Sequence, residues 1–366
     1  MKVLMFSEDA NILKPQSEAA GRMREYADVL GELHIVVLGK GRPIHTPNLF
    51  IYPAKMRSCG AFLAGRQLCR KNRFDVISVQ AADDIGLAGF LLAKLFHIPF
   101  QLQLHTDVFS AWYRRASWKE RTRYLIVRFL IPRASVLRVV SLRIKKSIES
   151  RIKDREYRII NLPIFTDFTK YSEARRNEET DRRFENYEFK MIAVGRFVEK
   201  EKNFLMLIDM MHELVKKCPA ALLVIVGDGP DKKNYESRIM NQGLEHNILL
   251  EGGRSDLPSF YKSFDLFLLS SNYEGWGRVV LEAMAAGLSV VITDVGLAGE
   301  VIKDNENGRV VPVGDMHAMM AAVLDLYKNP EKRKKLAEVG TAAVRNLIPQ
   351  TKEEYLQKYR ESFEIK

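Results

Sequence analysis

Short apolar runs alternate with helical spacing through the first 140 residues of the chain. The segments between the runs place apolar residues three or four positions apart, and the runs lie at residues 3–6, 35–38, 76–79, 100–104 and 137–140. Strand-like runs separated by helical patterns indicate a parallel sheet with helices on its faces. Because ligands of such sheets bind beyond the carboxyl ends of the strands, the residues directly after a run are the first candidates for a site.

The same alternation resumes after a charged, irregular segment. The composition of residues 163–187 cannot bury much apolar surface, which indicates a linker and places a domain boundary near residue 170. Further strands are predicted at residues 191–194, 222–226 and 248–250, from residue 266, and at 289–293. A chain of 366 residues is also too long for one compact core. The sequence thus predicts two α/β domains, residues 1–170 and 171–349.

One stretch of the second domain joins a strand, a glycine-containing loop and a helix. The strand begins at Leu266, the loop covers residues 272–278, and the helix covers residues 279–286. The first N–H groups of a helix lack an intrahelical partner and lie at the positive end of its dipole. This stretch therefore predicts an anion site with phosphate as the ligand.

Two carboxylates flank the predicted phosphate site. Glu274 precedes the helix, and Glu282 lies about five residues inside it, roughly 7–8 Å along its axis. A carboxylate repels phosphate but accepts hydrogen bonds from hydroxyl groups, so the pair predicts a nucleotide sugar. Solvent exposure of both side chains is the alternative, although Glu282 stands among apolar residues, where an unpaired carboxylate is costly.

This carboxylate pair, followed by Ala283-Met284-Ala285-Ala286-Gly287, resembles the signature of the retaining glycosyltransferases of family 4. The similarity runs from about Ile192 to Gly314 and is thin in the N-terminal half. The resemblance implies the GT-B fold, in which two Rossmann-like domains face each other across a cleft. It also implies that a last helix, at about residues 350–366, crosses back to the first domain.

The resemblance assigns roles to particular residues of the second domain. It implies that Arg196 and Lys202 hold the donor diphosphate, with Lys200 as the alternative to Lys202. It implies that Glu282 accepts a hydrogen bond from the ribose and that Glu274 binds the sugar hydroxyls, with no metal and no cofactor. The implied donor-binding set is completed by Gly253, Arg254, Gly275, Trp276, Gly277 and Arg278.

In the first domain the resemblance assigns a role to only one residue, His105. His105 directly follows a predicted strand, and in the family a histidine at this position lies beside the donor sugar. A histidine that only caps the strand end is the alternative, and Asp107 is left open between lining the cleft and facing away from it. The loop after the first strand lacks the family's paired glycines, and Gly21 and Arg22 are assigned to the start of the first helix in preference to the site.

Positive charge is concentrated in the first domain. The chain carries a net charge of +11, to which residues 1–170 contribute +14 and the remainder −3. The segment from Trp112 to Leu130 combines helical apolar spacing with Arg and Lys, which is typical of an interfacial amphipathic helix. An anionic membrane surface is therefore a predicted partner. A solvated basic helix is the alternative, and nucleic acid is disfavoured because no recognised binding module is present.

Other kinds of site receive less support from the sequence. Cys59, Cys69 and Cys218 show no metal-ligand spacing and suit a reducing compartment. Asp228 and Asp231 adjoin a glycine-rich turn, and a turn is favoured over a metal site there. No apolar run approaches the roughly 18 residues of a membrane span, and the first run is too short for a signal peptide. A cytoplasmic protein, peripheral on the inner face of the membrane, is expected.

The sequence thus predicts a metal-independent, retaining glycosyltransferase that moves a hexosyl or N-acetylhexosaminyl group from a nucleotide sugar. Its expected acceptor is a glycan or lipid-linked precursor of a cell-surface polysaccharide. The candidate catalytic residues are His105, Arg196, Lys202 and Glu274. Two rivals remain open: a nucleotide-sugar epimerase of similar fold, and a non-catalytic protein that binds sugar nucleotides or nucleic acid.

Overall fold

The computed structural model describes residues 1–80, 83–151, 158–347 and 351–364. The chain forms two compact units. Unit 1 comprises Met1–Phe165 with Gln350–Lys366, and unit 2 comprises Thr166–Pro349. Each unit is an α/β structure with a sheet and a core of its own.

Unit 1 contains eight strands and seven helices among the residues described. The strands are β1 (Lys2–Ser7), β2 (Glu32–Leu38), β3 (Ile44–His45), β4 (Leu49–Ala54), β5 (Val76–Val79), β6 (Phe100–Leu104), β7 (Val136–Val139) and β8 (Ile159–Asn161). The helices are α1 (Glu18–Leu30), α2 (Arg57–Lys71), α3 (Asp84–Phe96), α4 (Ala111–Ala116), α5 (Trp118–Leu130), α6 (Leu142–Glu149) and the C-terminal α16 (Lys352–Glu361). The strand order is β3-β4-β2-β1-β5-β6-β7-β8, and every neighbouring pair is parallel except β3 with β4.

Unit 2 contains a six-stranded sheet that is parallel throughout the described residues. Its strands are β9 (Phe189–Val194), β10 (Ala221–Val226), β11 (Ile248–Glu251), β12 (Leu266–Leu269), β13 (Ser289–Thr293) and β14 (Arg309–Val311). Its helices are α7 (Thr169–Ser172), α8 (Glu178–Arg183), α9 (Glu199–Lys202), α10 (Phe204–Leu214), α11 (Lys232–Asn241), α12 (Leu257–Tyr261), α13 (Arg278–Ala285), α14 (Met316–Lys328) and α15 (Pro330–Leu347). The strand order is β11-β10-β9-β12-β13-β14.

The apolar runs of the sequence correspond to the central strands of both sheets. Strands β10 and β13 are buried at every position, as expected where helices cover both faces of a parallel sheet. The predicted α/β class with two Rossmann-like sheets and a C-terminal helix that returns to unit 1 is confirmed. Four strands were not predicted, and they lie at or next to sheet edges: β3, β4, β8 and β14.

The helix predicted from Trp112 to Leu130 is in fact two helices, α4 and α5. Ser117 separates them with extended backbone, at φ −167° and ψ 171°. Its hydroxyl donates to the carboxylate of Glu120, three residues into the following turn. The sequence Ser-x-x-Glu is a helix-start signal, and it ends one helix and begins the next.

The sequence after β13 also predicts a turn at residues 294–296 that leads into a helix containing Glu300, and this prediction is wrong. Residues 294–308 form turns and isolated bridges in place of a helix. Gly296 and Gly299 adopt φ of +51° and +75°, in the left-handed region. Two such residues three positions apart interrupt right-handed helical geometry.

A buried arginine joins α16 to the sheet of unit 1. Arg138 on β7 is 2% exposed. Its guanidinium donates to the side-chain oxygen of Gln103 at 2.9 Å and to the hydroxyl of Tyr355 at 3.2 Å, and it lies 4.8 Å from the ring centroid of Tyr359. Since Tyr355 and Tyr359 belong to α16, the C-terminal helix supplies partners that a fully buried charge requires.

Neighbouring strands extend this polar contact across the sheet. Gln101 on β6 donates to the carbonyl oxygen of Ser362 at 2.6 Å and accepts from the hydroxyl of Ser78 at 2.8 Å. Gln103 donates to the same Ser78 hydroxyl at 2.8 Å. The residues just beyond α16 are therefore held by side chains inside the sheet and not by apolar packing alone.

Gly227, at the end of β10, allows a close backbone approach in unit 2. A Cβ at this position would lie 1.9 Å from the carbonyl oxygen of Gly195, and the φ of Gly227 is +152°. Only glycine fits at that distance. The loops after β9 and β10 are fixed against each other in this way.

We expect Gly227→Ala to destabilise unit 2 much more than Gly243→Ala. Gly243 also has a positive φ, +64°, but an added Cβ there meets nothing within 4 Å. The control should lose about 1–2 kcal/mol from backbone strain alone, and Gly227→Ala more than ~3 kcal/mol because a clash with backbone is added.

Urea unfolding followed by Trp276 fluorescence measures the difference in a background where Trp112 and Trp118, the other two tryptophans, are phenylalanine. Equal losses of unfolding free energy in the two glycine variants would show that the close approach of Gly227 to the Gly195 carbonyl does not affect stability.

Candidate functional site

The candidate site of unit 2 lies where the strand order of the sheet reverses. Strand β9 has β10 on one side and β12 on the other, so the connections that follow β9 and β12 leave in opposite directions. All three strands are parallel, and their carboxyl ends lie on one edge. Such a switch point forms a crevice in which open α/β sheets bind ligands. The segment after β9 carries Arg196 and Lys202, and the segment after β12 carries Glu274.

Lys202 and Glu274 meet at this edge. The Nζ of Lys202 lies 2.5 Å from Oε1 of Glu274, and the Ser271 hydroxyl donates to the same oxygen at 2.9 Å. Lys202 is 8% exposed. Burial alone would lower the pKa of Lys202, but Glu274 and Glu201 raise it above its ordinary value. Lys202 therefore stays charged.

Glu201 connects the two predicted cations. Its carboxylate lies 3.1 Å from the Nζ of Lys202 and 3.0 Å from Nη2 of Arg196. The side chain of Arg196 is 74% exposed, so it is free to reorient toward a ligand. Lys200, the alternative to Lys202, is exposed on the same short helix. Lys202 and Glu274 are thus brought together, with Arg196 joined to them through Glu201.

Backbone contacts fix the loop that carries Glu274. The Asn272 N–H donates to the Glu201 carbonyl oxygen at 2.8 Å, and the Ser270 hydroxyl donates to the Lys202 carbonyl oxygen at 2.7 Å. A Cβ on Gly195 would lie 3.2 Å from Cε of Lys202. Because Gly195 has no side chain, the Lys202 side chain has room to extend to Glu274.

The N-terminus of α13 has the predicted form of an anion site. Gly277 precedes the helix with φ +86° and ψ +46°, and no side chain of the described residues caps the helix there. Gly275 is buried and Trp276 partly buried, while Arg278 is exposed. The Val280 N–H donates to the Gly277 carbonyl oxygen at 2.9 Å, and the N–H groups of Arg278 and Val279 are the ones that can meet a ligand.

Glu282 is buried inside α13, at 2% exposure. Its Oε1 lies 2.9 Å from Nε of Arg278 as an ion pair and accepts no well-aligned hydrogen bond from the described residues. Burial raises the pKa of Glu282 above its ordinary value, although Arg278 and the Tyr171 hydroxyl oppose this. An incompletely satisfied buried carboxylate is costly, and such groups cluster at functional sites.

The residues predicted to read the base lie after β11. Gly253 is exposed with open space around it. Arg254 pairs with Asp256, Nη2 to Oδ2 at 2.7 Å, and its guanidinium carbon lies 4.0 Å from the ring centroid of Phe260. The structure thus gives Arg254 a local partner, and its predicted role stays a prediction.

The turn after β10 is structural. Asp231 accepts the N–H of Glu199 at 2.8 Å, and the Gly229 N–H lies 2.8 Å from the carboxylate of Asp228. Among the described residues, the acidic or thiol groups close enough to share a metal ion are Glu8, Asp83 and Asp84 of unit 1. The turn residues are not part of that group.

In unit 1, His105 lines a cavity of about 160 Å³ at the carboxyl end of β6. Burial, with the positive charges of Arg138 and Arg22, lowers the pKa of His105 to about 3. The imidazole is therefore neutral at physiological pH. Asp107 faces its own loop, where it accepts the Phe109 N–H at 3.0 Å.

The first helix accounts for the remaining candidates of unit 1. Helix α1 begins at Glu18, so Gly21 and Arg22 lie in its first turns, as preferred from the sequence.

Sequence reasoning missed several charged residues at these edges. Glu8, Asp83 and Arg123 line the cavity beside His105, and Glu201 pairs with both cations of unit 2. Glu8 and Asp83 each follow a predicted strand closely, which was an available signal. Their proximity depends on β1 lying beside β5, which the sequence did not indicate.

Comparison with protein families decides the class of protein. The family described as Glycosyltransferase Family 4 matches residues 20–168, and the family described as Glycosyl transferases group 1 matches residues 175–342. The chain is a family 4 glycosyltransferase. The predicted family and the predicted transferase activity of the enzyme are thereby confirmed.

Named relatives of the transferase agree with this class. The lipopolysaccharide core biosynthesis glycosyltransferase LpsE of Rhizobium meliloti is 32% identical over 150 residues, which span 41% of this chain and 43% of LpsE. The uncharacterized glycosyltransferase MJ1178 of Methanocaldococcus jannaschii is 27% identical over 285 residues, or 76% of this chain and 73% of MJ1178. The match to LpsE thus spans less than half of that protein.

A solved structure shares the fold of the transferase. Anabaena Alr3699/HepE, in complex with UDP and glucose, superposes with a TM-score of 0.78 and 18% identity over 99% of both chains. The GT-B architecture is therefore shown. Of the described helices, none is both long and apolar enough to cross a membrane.

We expect Glu282→Gln to stabilise the ligand-free transferase at pH 8. A carboxyl group whose folded-state pKa is raised lowers stability once pH exceeds its unfolded value, and the loss is complete above the folded pKa. Burial raises the pKa of Glu282 in this way. The melting temperature of Glu282→Gln should exceed that of the wild type at pH 8 and match it near pH 4.

Differential scanning fluorimetry across this pH range provides the measurement. Glu236→Gln, on the exposed surface of α11, is the matched control and should leave the melting temperature unchanged at both pH values. A less stable Glu282→Gln protein at pH 8 would mean that the ion pair with Arg278 outweighs the burial of the carboxylate.

Proposed function

We propose that the transferase moves a sugar from a uridine diphosphate sugar to an acceptor hydroxyl with retention of anomeric configuration. The observation that carries the proposal is the buried Lys202, held between Glu201 and Glu274 beside the uncapped N-terminus of α13. Glu201 and Glu274 pair with Lys202 and Arg196, and a donor offers an anion for the two cations and hydroxyl groups for Glu274. The UDP bound by Anabaena Alr3699/HepE supports uracil as the base.

Donor binding would exchange partners within this cluster. Lys202 and Arg196 turn to the diphosphate, whose other oxygens accept from the N–H groups at the start of α13. Glu274, released from Lys202, accepts hydrogen bonds from the sugar. Glu282 accepts from a ribose hydroxyl, which supplies the well-aligned hydrogen bond that its Oε1 does not receive from the described residues.

The chemistry follows from where charge develops. The bond between C1 of the sugar and the diphosphate oxygen breaks, the acceptor oxygen bonds to C1 on the same face, and its proton passes to the departing phosphate oxygen. Lys202 and Arg196 stabilise the negative charge that builds on that phosphate, and no metal is needed for this. His105 of unit 1 offers a neutral hydrogen-bonding group and adds no charge of its own.

A lipid-linked or cell-surface glycan precursor is the proposed acceptor. LpsE acts in lipopolysaccharide core biosynthesis, which supports an acceptor of this kind. Helix α5 presents an apolar stripe, defined here as Trp118, Leu125 and Phe129, which are 73%, 57% and 42% exposed. Their spacing of seven and four residues places all three on one side of the helix.

Arginines surround the apolar stripe. Arg114, Arg115, Arg121 and Arg128 are all exposed on α4 and α5, and Glu120, the only acidic residue of the two helices, is 3% exposed. Such a face suits an anionic bilayer, where each cation contributes about 1 kcal/mol. Arg123, by contrast, pairs with Asp83 at 3.2 Å and is not part of this surface.

We expect one nucleotide class to raise the melting temperature in a panel of uridine, guanosine and adenosine diphosphate sugars. Near 100 times the dissociation constant a ligand contributes about 2.7 kcal/mol, which raises the melting temperature of a unit of this size by several degrees. Lys202→Met should weaken binding about 10- to 100-fold, since a charge-assisted hydrogen bond is lost. Glu282→Ala should abolish the shift.

Lys200→Ala, on the exposed side of α9, is the control and should keep the full shift. A wild-type protein that responds to no member of the panel, or a Lys202→Met variant with unchanged affinity, would count against the donor assignment. With a working acceptor, a product of inverted configuration by NMR would exclude the retaining chemistry.

We expect the triple variant Trp118→Ser, Leu125→Ser and Phe129→Ser to lose co-sedimentation with phosphatidylglycerol vesicles. The variant with Gln at positions 114, 115, 121 and 128 should also bind much less, by up to about 10³-fold at 1 kcal/mol per charge. Added salt should weaken wild-type binding because it screens the charges.

The matched control is the triple variant Met240→Ser, Val339→Ser and Leu347→Ser. These unit 2 residues are 63%, 41% and 42% exposed, so the control removes a comparable exposed apolar set. If both triple variants sediment with vesicles as the wild type does, the apolar stripe is not a membrane surface.

A further inference from the structure

The cavity beside His105 lies at the switch point of the unit 1 sheet. Strand β1 separates β2 from β5, so the segments after β1 and β5 diverge at the carboxyl edge. Glu8 follows β1, Gln80 and Asp83 follow β5, and His105 and Thr106 follow β6, and all five line the cavity. Its 160 Å³ far exceeds the ~10–15 Å³ that one water needs. A cavity at this place in a parallel sheet is where a ligand is expected.

Carboxylates outnumber cations around this cavity. Glu8, Asp83 and Asp84 have oxygens within 4.8 Å of one another. Arg123 lies 3.2 Å from Asp83, 3.6 Å from Glu8 and 3.8 Å from Glu120.

The second guanidinium, that of Arg57, lies 3.7 Å from Glu8 and 3.4 Å from Asp84 but is 66% exposed. Four carboxylates thus share two guanidiniums. Residues 1–170 have a net charge of +14, but this cluster holds more carboxylates than guanidiniums, while Arg22 and Arg138 add positive charge near His105.

The groups facing Glu8 leave this negative charge incompletely neutralised. Partial burial, followed by the neighbouring Asp83, raises the pKa of Glu8 to about 7, against the opposing effect of Arg123 and Arg57. The pKa of His105 is lowered to about 3 by burial and that of Tyr113 is raised to about 12 by burial, so both stay neutral near pH 7. The cavity therefore offers carboxylate acceptors, amide groups and a neutral imidazole.

We propose that Glu8 and Asp83 determine acceptor specificity: the cavity takes the terminal sugar of the acceptor and excludes one that carries an acidic group. This inference rests on the proposed function. A carboxylate accepts hydrogen bonds from sugar hydroxyls or from the ammonium of an amino sugar. It repels the carboxylate of a uronic acid, and this like-charge repulsion is the usual physical basis for excluding a wrong ligand.

The test compares sugars that share stereochemistry and differ in charge. Methyl glycosides of the gluco, galacto and manno series, each as neutral sugar, amino sugar and uronic acid, are titrated into the full chain with UDP present and followed by ligand-observed NMR. In the series that binds, we expect the uronic acid to bind at least tenfold more weakly than the neutral sugar at pH 8. The difference in affinity between the neutral sugar and the uronic acid should be smaller at pH 5.5, where Glu8 is protonated and His105 is still neutral.

At pH 8, Glu8→Gln should reduce the difference in affinity between the neutral sugar and the uronic acid to the value that the wild type shows at pH 5.5. Glu149→Gln, on the exposed end of α6, is the matched control and should keep the full discrimination. A melting temperature at least equal to that of the wild type at pH 8 confirms that Glu8→Gln is folded. Asp83→Asn, whose side-chain oxygen can still accept the Ile85 N–H, provides a second variant.

The proposal is overturned if the uronic acid binds as tightly as the neutral sugar, if Glu8→Gln leaves the ratio unchanged, or if no glycoside of any series binds. The thermal shift by the nucleotide-sugar panel is measured on the same samples. If nucleotide sugars still raise the melting temperature but neutral sugars and uronic acids bind equally well, only this inference fails. If nucleotide sugars no longer raise the melting temperature, the donor assignment fails as well.

Discussion

The ion pair between Lys202 and Glu274 is the contact on which the site of unit 2 depends. A lysine buried to this degree must have a negative partner, and the adjacency of β9 and β12 supplies one by bringing two distant loops to the same edge. Gly195 leaves room for the lysine side chain, and Gly227 in turn holds the Gly195 backbone. The position of one cation is thus determined in part by backbone geometry at the end of the neighbouring strand, β10.

The two sheets use the same topological feature with opposite charge. Where the strand order of unit 2 reverses, the edge presents a buried lysine and the positive end of α13. Where the order of unit 1 reverses, the edge presents Glu8 and Asp83 with a neutral imidazole. Fold alone therefore does not determine what each crevice accepts, since the side chains after the strands decide it. Glu8 and Glu282 are both carboxylates whose protonated form is favoured by their surroundings, and groups of this kind cluster at functional sites.

Much of this architecture could be predicted from the sequence because central strands of parallel sheets are uninterrupted apolar runs. Edge strands were not predicted because their composition is mixed. Strand β14, for example, is Arg-Val-Val and is partly exposed. The burial of Glu282 was predictable from its apolar neighbours, whereas the preference for Lys202 over Lys200 came from the family resemblance and stays a prediction. The acidic cavity was not, because spacing along the chain does not reveal which strands become neighbours. The two glycines compared in unit 2 make the same point, since only the structure distinguishes Gly227, which touches backbone, from Gly243, which does not.

The arginine inside unit 1 has a consequence for how the polypeptide is made. Tyr355 and Tyr359 are encoded after all of unit 2, yet they surround a charge on a strand made before it. A nascent chain on the ribosome therefore holds the early half of the enzyme without these two partners of Arg138 until the residues after unit 2 have been made. Any truncation or nonsense codon that removes α16 leaves Arg138 with Gln103 and the Leu162 carbonyl oxygen but without Tyr355 and Tyr359.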